Sequence, residues 1–114
     1  DCTMDKLEKY RAAIQKILTD YVSVPIASGE IDSQLIFDKE RDRYQVVSVG
    51  WAGHRRVHGC VLHLDIINEK IWIQQNTTEL QIGQELVAMG IPREDIILGF
   101  QAPYMRQYTD FGVA

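Results

Sequence analysis

The stretch from Gly59 to Asn76, GCVLHLDIINEKIWIQQN, decides the fold. Cys60, Leu62, Leu64 and Ile66 fall at every second position, as do Ile71 and Ile73 further on. That is the period of a strand with one apolar face. A symmetric four-residue loop centred on Asn68-Glu69 sets Ile66 opposite Ile71 and Leu64 opposite Ile73, so both apolar rows share one side of a sheet. The other side then carries Val61, His63, Asp65, Trp72 and Gln74, with Asp65 opposite Trp72 and His63 opposite Gln74. Cys60 reads as a small core residue on the apolar row.

Working outward, Arg43 to Trp51 is rich in β-branched and aromatic residues and reads as a strand. It is joined through a turn at Gly53 to a third strand running from Arg55 to about Ile66. The parity of that turn is open, and one residue either way exchanges the faces of Val47 and Val49. Ser33 to Phe37 is a shorter strand, ended by the charged run Asp38-Lys39-Glu40-Arg41-Asp42, a solvated hairpin tip. Lys70 to Gln75 is the fourth strand.

Upstream, Leu7, Tyr10, Ile14, Ile17, Leu18 and Tyr21 are spaced as one stripe of a helix, with Thr3 placed to cap it and Pro25 stopping it near Ser23. Met4 has the look of a natural start, with Asp1-Cys2-Thr3 as an extension. Val24 to Asp32 reads as a linker. Downstream, Asn76 and Glu79 resemble a capping box before a helix carrying Ile82, Leu86 and Met89, closed by Gly90. Pro92 to Asp95 suits one further helical turn, Ile96 to Phe100 a strand or an extended packing segment, and the rest an irregular tail docking aromatics. The expected fold is one α+β domain over residues 1–114: an N-terminal helix, a four-stranded antiparallel meander, a second helix and a short irregular C-terminal tail.

The chain of 114 residues is 46% hydrophobic and 25% charged, the balance of a globular domain. No apolar run reaches the roughly 18 residues of a membrane span and no signal-peptide pattern opens the chain, so a cytoplasmic protein without membrane contact is expected. Sixteen acidic residues against twelve basic give a net charge of −4, which disfavours autonomous binding to a phosphate backbone. Two cysteines support neither a disulfide framework nor a four-ligand zinc site, and no cofactor or metal is expected.

Two constellations can carry function. His63 and Asp65 point the same way from one strand, about 7 Å apart at Cα. They suit an acid–base pair or half a metal site, yet no third ligand falls at a matching spacing, and a wet sheet face carries such residues for its own sake. His54-Arg55-Arg56-Val57-His58 is the densest basic cluster, with Trp51 near enough for an arginine to stack on it. Arg41, Arg43 and Arg106 join it only if folding brings them there. Trp72, beside Asp65, His63 and Gln74, is either covered by the tail or part of an interface. Trp51, Arg55, Arg56, His58, His63, Asp65, Trp72 and Gln74 are therefore the candidate partner-binding residues. Motifs for a phosphate loop, a nucleophile elbow, a zinc protease or RNA stacking do not occur.

Gly50-Trp51-x-Gly53-x-Arg55-Arg56, His63-Leu64-Asp65-Ile66, and Lys70 to Asn76 (KIWIQQN) with Glu79 together resemble the XisI family, whose namesake controls excision of the fdxN element in cyanobacteria. Met4 to Arg11, Gly90-Ile91-Pro92, Leu98-Gly99-Phe100 and Pro103-Tyr104 extend the likeness along nearly the whole chain. Ala52 departs from it, standing where members often carry an acidic turn residue. The resemblance implies a non-enzymatic regulatory protein that works beside a separate recombinase. It also implies a XisH-like protein as partner, leaves homo-oligomers open, and transfers no catalytic residue. The competing expectations are direct DNA contact through Arg55, Arg56 and His58, and a small hydrolytic enzyme using His63 and Asp65.

Overall fold

A computed structural model of the protein describes residues 2–23 and 31–113. Helix α1 spans Cys2–Ser23, and strands β1 (Ile31–Asp38), β2 (Arg43–Ala52), β3 (Arg55–Ile67) and β4 (Lys70–Asn76) follow as an antiparallel meander. Helix α2 (Ile82–Ala88) and a 3-10 turn at Arg93–Asp95 lead into β5 (Ile96–Leu98), which lies parallel to β4. The α+β architecture is as expected. The short apolar segment after Asp95 is a strand, so the sheet has five strands in the order β1-β2-β3-β4-β5. The tail is partly regular, with a 3-10 helix over Pro103–Tyr108. The linker expected from Val24 falls on residues 24–30, outside the described residues, as does the side chain of Thr3.

One sheet face holds the core. Tyr10, Ala13, Ile14, Ile17 and Leu18 of α1 are buried with Tyr44, Val46, Leu62, Leu64, Ile66, Ile71 and Ile73 of the strands and Ile82 and Leu86 of α2. The helical stripe and the strand alternation thus meet each other, which is what makes each element bury its apolar side. Two polar ties hold α1 in place. Arg11 clasps Asp42 at the β1–β2 tip with Nε–Oδ1 at 2.7 Å and Nη2–Oδ2 at 3.2 Å, and the hydroxyl of Tyr44 donates to the same carboxylate at 3.0 Å. Burial, and then Asp42, push the Tyr44 phenol up to about 12. The neighbouring Tyr10 donates to Asp95, which also pairs with Lys6 at 3.2 Å. Asp42 is therefore docked to a helix, whereas Lys39, Glu40 and Arg41 are exposed as expected of a hairpin tip.

The hairpin β3–β4 has the expected pairs Leu64↔Ile73, Asp65↔Trp72 and Ile66↔Ile71, and Ile67↔Lys70 narrows the loop to Asn68-Glu69. Both loop residues have positive φ, 53° and 64°, the type I′ geometry that matches strand twist. Beyond Leu64 the register steps, so His63 faces Gln75 rather than Gln74. A second step lies between β2 and β3, where Val46 pairs with Leu62 and Val47 with Cys60. The β2–β3 loop is the even one, Gly53-His54, and Val61 is the extra residue. Val61 therefore packs against the core, while Cys60, expected on the core row, turns to the other face and is half-buried. The displaced backbone is still satisfied: Val61 O accepts from Thr77 N at 3.0 Å, and Cys60 O accepts from the Gln75 side chain.

Asn76 does not cap α2. Its carboxamide oxygen accepts from Thr78 N at 2.9 Å, closing an Asx turn, and α2 begins six residues later at Ile82 without a side-chain cap. Its end is as read: Gly90 N bonds Val87 O and Ile91 N bonds Leu86 O, the paired bonds of a Schellman motif.

Glu69 holds a left-handed conformation that costs a non-glycine residue about 1–2 kcal/mol. Glu69→Gly should raise unfolding free energy by about 0.5–1 kcal/mol after the greater chain entropy of glycine is subtracted. Urea denaturation checks this, and a loss of stability would place the strain elsewhere.

Candidate functional site

The face of the sheet turned away from the core carries all but one of the sequence-predicted residues, in two groups. The pairing places Asp38, Arg43, Asp65, Trp72 and Ile97 in one cross-strand row that spans all five strands. Asp65 is its centre and is 5% exposed. The carboxylate of Asp65 faces His63 Nε2 at 2.8 Å, accepts from Gln74 Nε2 at 3.3 Å, and lies 3.8 Å from Arg43 Nε. A buried carboxylate is tolerable only when so surrounded. Trp72, beside it, is half-buried with the Arg106 guanidinium 5.0 Å above its ring. Cover of Trp72 thus comes partly from the chain's own tail. The tail then reaches Gly112, bridged to Ile97 at the β5 edge of the sheet; a Cβ at Gly112 would strike the Glu94 carbonyl.

The second group sits on the β2–β3 arm. Arg56 is stacked 5.4 Å over Trp51, the pairing anticipated from their spacing, and His58 lies two residues along on the same face. Arg55, paired with Ala52, falls on the opposite face by alternation. Arg43 and Arg106 are bound to Asp65 and Trp72, so they do not extend this basic cluster. The arm makes the molecule long, 48 × 32 × 24 Å, with a radius of gyration of 15.0 Å where about 13 Å is usual for this length.

Sequence reasoning overlooked the tail surface. Tyr104 and Tyr108 are 72% and 75% exposed, with Phe100 and Met105 also open to solvent. Their clustering in a segment rich in aromatics was the only signal, and it pointed to docking rather than to display.

A hydrolytic role for His63 and Asp65 needs a cleft beside them. A cavity of about 150 Å³ lies away from them, between β4, β5 and α2, lined by Ile73, Leu80, Ile82, Leu98, Phe100 and Phe111 among others. Among the described residues no three His, Cys, Asp or Glu side chains gather as metal ligands, and no helix is long and apolar enough to cross a membrane. His63 and Gln74 both hydrogen-bond the Asp65 carboxylate at the centre of the row.

Asp65→Ala should therefore cost about 2–4 kcal/mol, since it strands Gln74 and His63 together. His63→Ala, at the wetter end, should cost less than about 1 kcal/mol. Equal losses by chemical denaturation would show that Asp65 is not the hub.

The pattern of the family described as "XisI protein" matches residues 4–113. A crystal structure of a XisI-like protein from Anabaena variabilis ATCC 29413 is similar at a TM-score of 0.88 and 53% identity, covering 95% of this chain and 99% of that one. The fdxN element excision controlling factor XisI from the same organism is similar at a TM-score of 0.82 and 41% identity, over 96% and 99%. A search of curated proteins finds none that matches. With a family pattern along almost its whole length and the fold shared from α1 to the tail, the chain belongs to the XisI protein family.

Proposed function

We propose that the protein is a non-enzymatic regulatory accessory of DNA-element excision that acts through a partner protein, a XisH-like chain, in the cytoplasm. Membership of the XisI family carries this reading, together with 41% identity to a protein described as an excision controlling factor. The surface suits the role. Arg106 and Trp72 form a supported platform, and beside it the tail displays Tyr104, Met105 and Tyr108, residue types concentrated at the centres of interfaces. Asp65, held by Gln74 and His63, braces the platform from the neighbouring strand.

Direct DNA contact is the weaker reading. One observation favours it: between Asp42 and Asp65 the chain has no acidic residue but three arginines, Arg43, Arg55 and Arg56, and all three histidines. Of these, Arg43 is taken by Asp65, and the net charge of −4 works against affinity for phosphates.

Co-expression with a XisH-like protein tests the proposal. A complex should survive purification at micromolar concentration, and Tyr104→Ala/Tyr108→Ala should weaken it at least tenfold without lowering the melting temperature. No complex with the unaltered chain, or one indifferent to the double substitution, would contradict it.

A further inference from the structure

The register of β1, β2 and β3 sorts the open half of the far face into columns. Rows across the three strands read Asp32–Val49–His58, Gln34–Val47–Cys60 and Ile36–Gln45–His63, with Trp51 and Arg56 paired beyond the first. The middle column, Val47, Val49 and Trp51, is largely apolar; Ile36 and Trp51 are 47% and 49% exposed. The β1 column carries the acid Asp32, and the β3 column carries Arg56 and His58. Helix α1, which contacts all three strands, packs with the core on the other face.

We propose that this face joins two copies of the chain about a two-fold axis running along β2. That operation lays β1 of one copy over β3 of the other, so each row meets itself reversed. Asp32 then meets His58 and its neighbour Arg56, twice over, while Val47 and Val49 meet their own counterparts on the axis. A two-fold set across the strands would instead stack β3 on β3 and bring the basic column against itself. Charge complementarity thus selects both the occupant, a second copy, and the axis. Three strands about 4.8 Å apart and about ten residues long present on the order of 500 Å², less than the roughly 800 Å² per partner of a standard interface. A dimer with micromolar dissociation is the expected result. It requires no second protein, so it can fail or hold independently of the partner-binding reading, which uses the tail.

Sedimentation of the full chain alone, from 1 to about 200 µM, tests it. The chain should pass from monomer to dimer over that range. Val49→Asp, which sets like carboxylates together on the axis, should raise the dissociation constant at least thirtyfold. Asp32→Arg and His58→Asp should each weaken the dimer about tenfold, and the double variant should return within about threefold of the starting value. All three positions lie outside the buried core, so each variant should give the circular dichroism spectrum of the unaltered chain. A monomer at 200 µM, a dimer indifferent to Val49→Asp, or a double variant as weak as the two losses combined would overturn the proposal.

Discussion

Everything in this molecule hangs on the register of β3. The strand is 13 residues long and pairs on both sides, and because side chains alternate, a slip of one residue would exchange its two faces. It slips twice in a controlled way. One step leaves Val61 of β3 unpaired against β2, and the other leaves Gln74 of β4 unpaired against β3. Each keeps the apolar residues on the core side while changing what the far face receives. The first delivers Cys60 there; the second lets Gln74 reach Asp65 while Gln75 seals the open carbonyl of Cys60. Bulges of this kind re-aim side chains locally without disturbing the ladder beyond them.

The result is a far face with two different characters. Toward β4 and β5 it is closed by its own chemistry: Asp65 is ringed by His63, Gln74 and Arg43, Trp72 lies under Arg106, and the tail runs back to Gly112. Toward β1 and the arm it stays open, with apolar residues between an acidic and a basic column. A fixed platform and an open face on one sheet can be used at once. The middle of α1 is tied to two separate parts of the fold through neighbouring residues, Arg11 to Asp42 at the β1–β2 tip and Tyr10 to Asp95 before β5.

Much of this was legible before any coordinates. Alternation in Gly59 to Asn76 fixed the hairpin and its three central pairs, since only one register puts Leu64 and Ile66 with Ile73 and Ile71. The stripe from Tyr10 to Leu18 announced α1, and Gly90 its successor's end. What could not be read were features set by distant partners. Bulges leave no local mark, so Cys60 looked like core and His63 appeared to face Gln74. Three residues, Ile96–Leu98, become a strand only because β4 is there to pair with them. Asn76 followed by Thr78 suits a helix cap and an Asx turn equally, and packing of Ile82 and Leu86 decided the outcome. The fold divides the candidate residues into a brace around Asp65 and an exposed arm at Trp51 and Arg56, a division their types alone do not reveal.

The register is open to direct measurement in solution. Nuclear Overhauser contacts between backbone protons across β2–β3 and β3–β4 should join Val47 to Cys60 and His63 to Gln75, with Asp65 to Trp72 between unshifted neighbours. Contacts joining Val47 to Val61 and His63 to Gln74 would mean that the alternation runs unbroken, and would contradict the division of the far face on which this account rests.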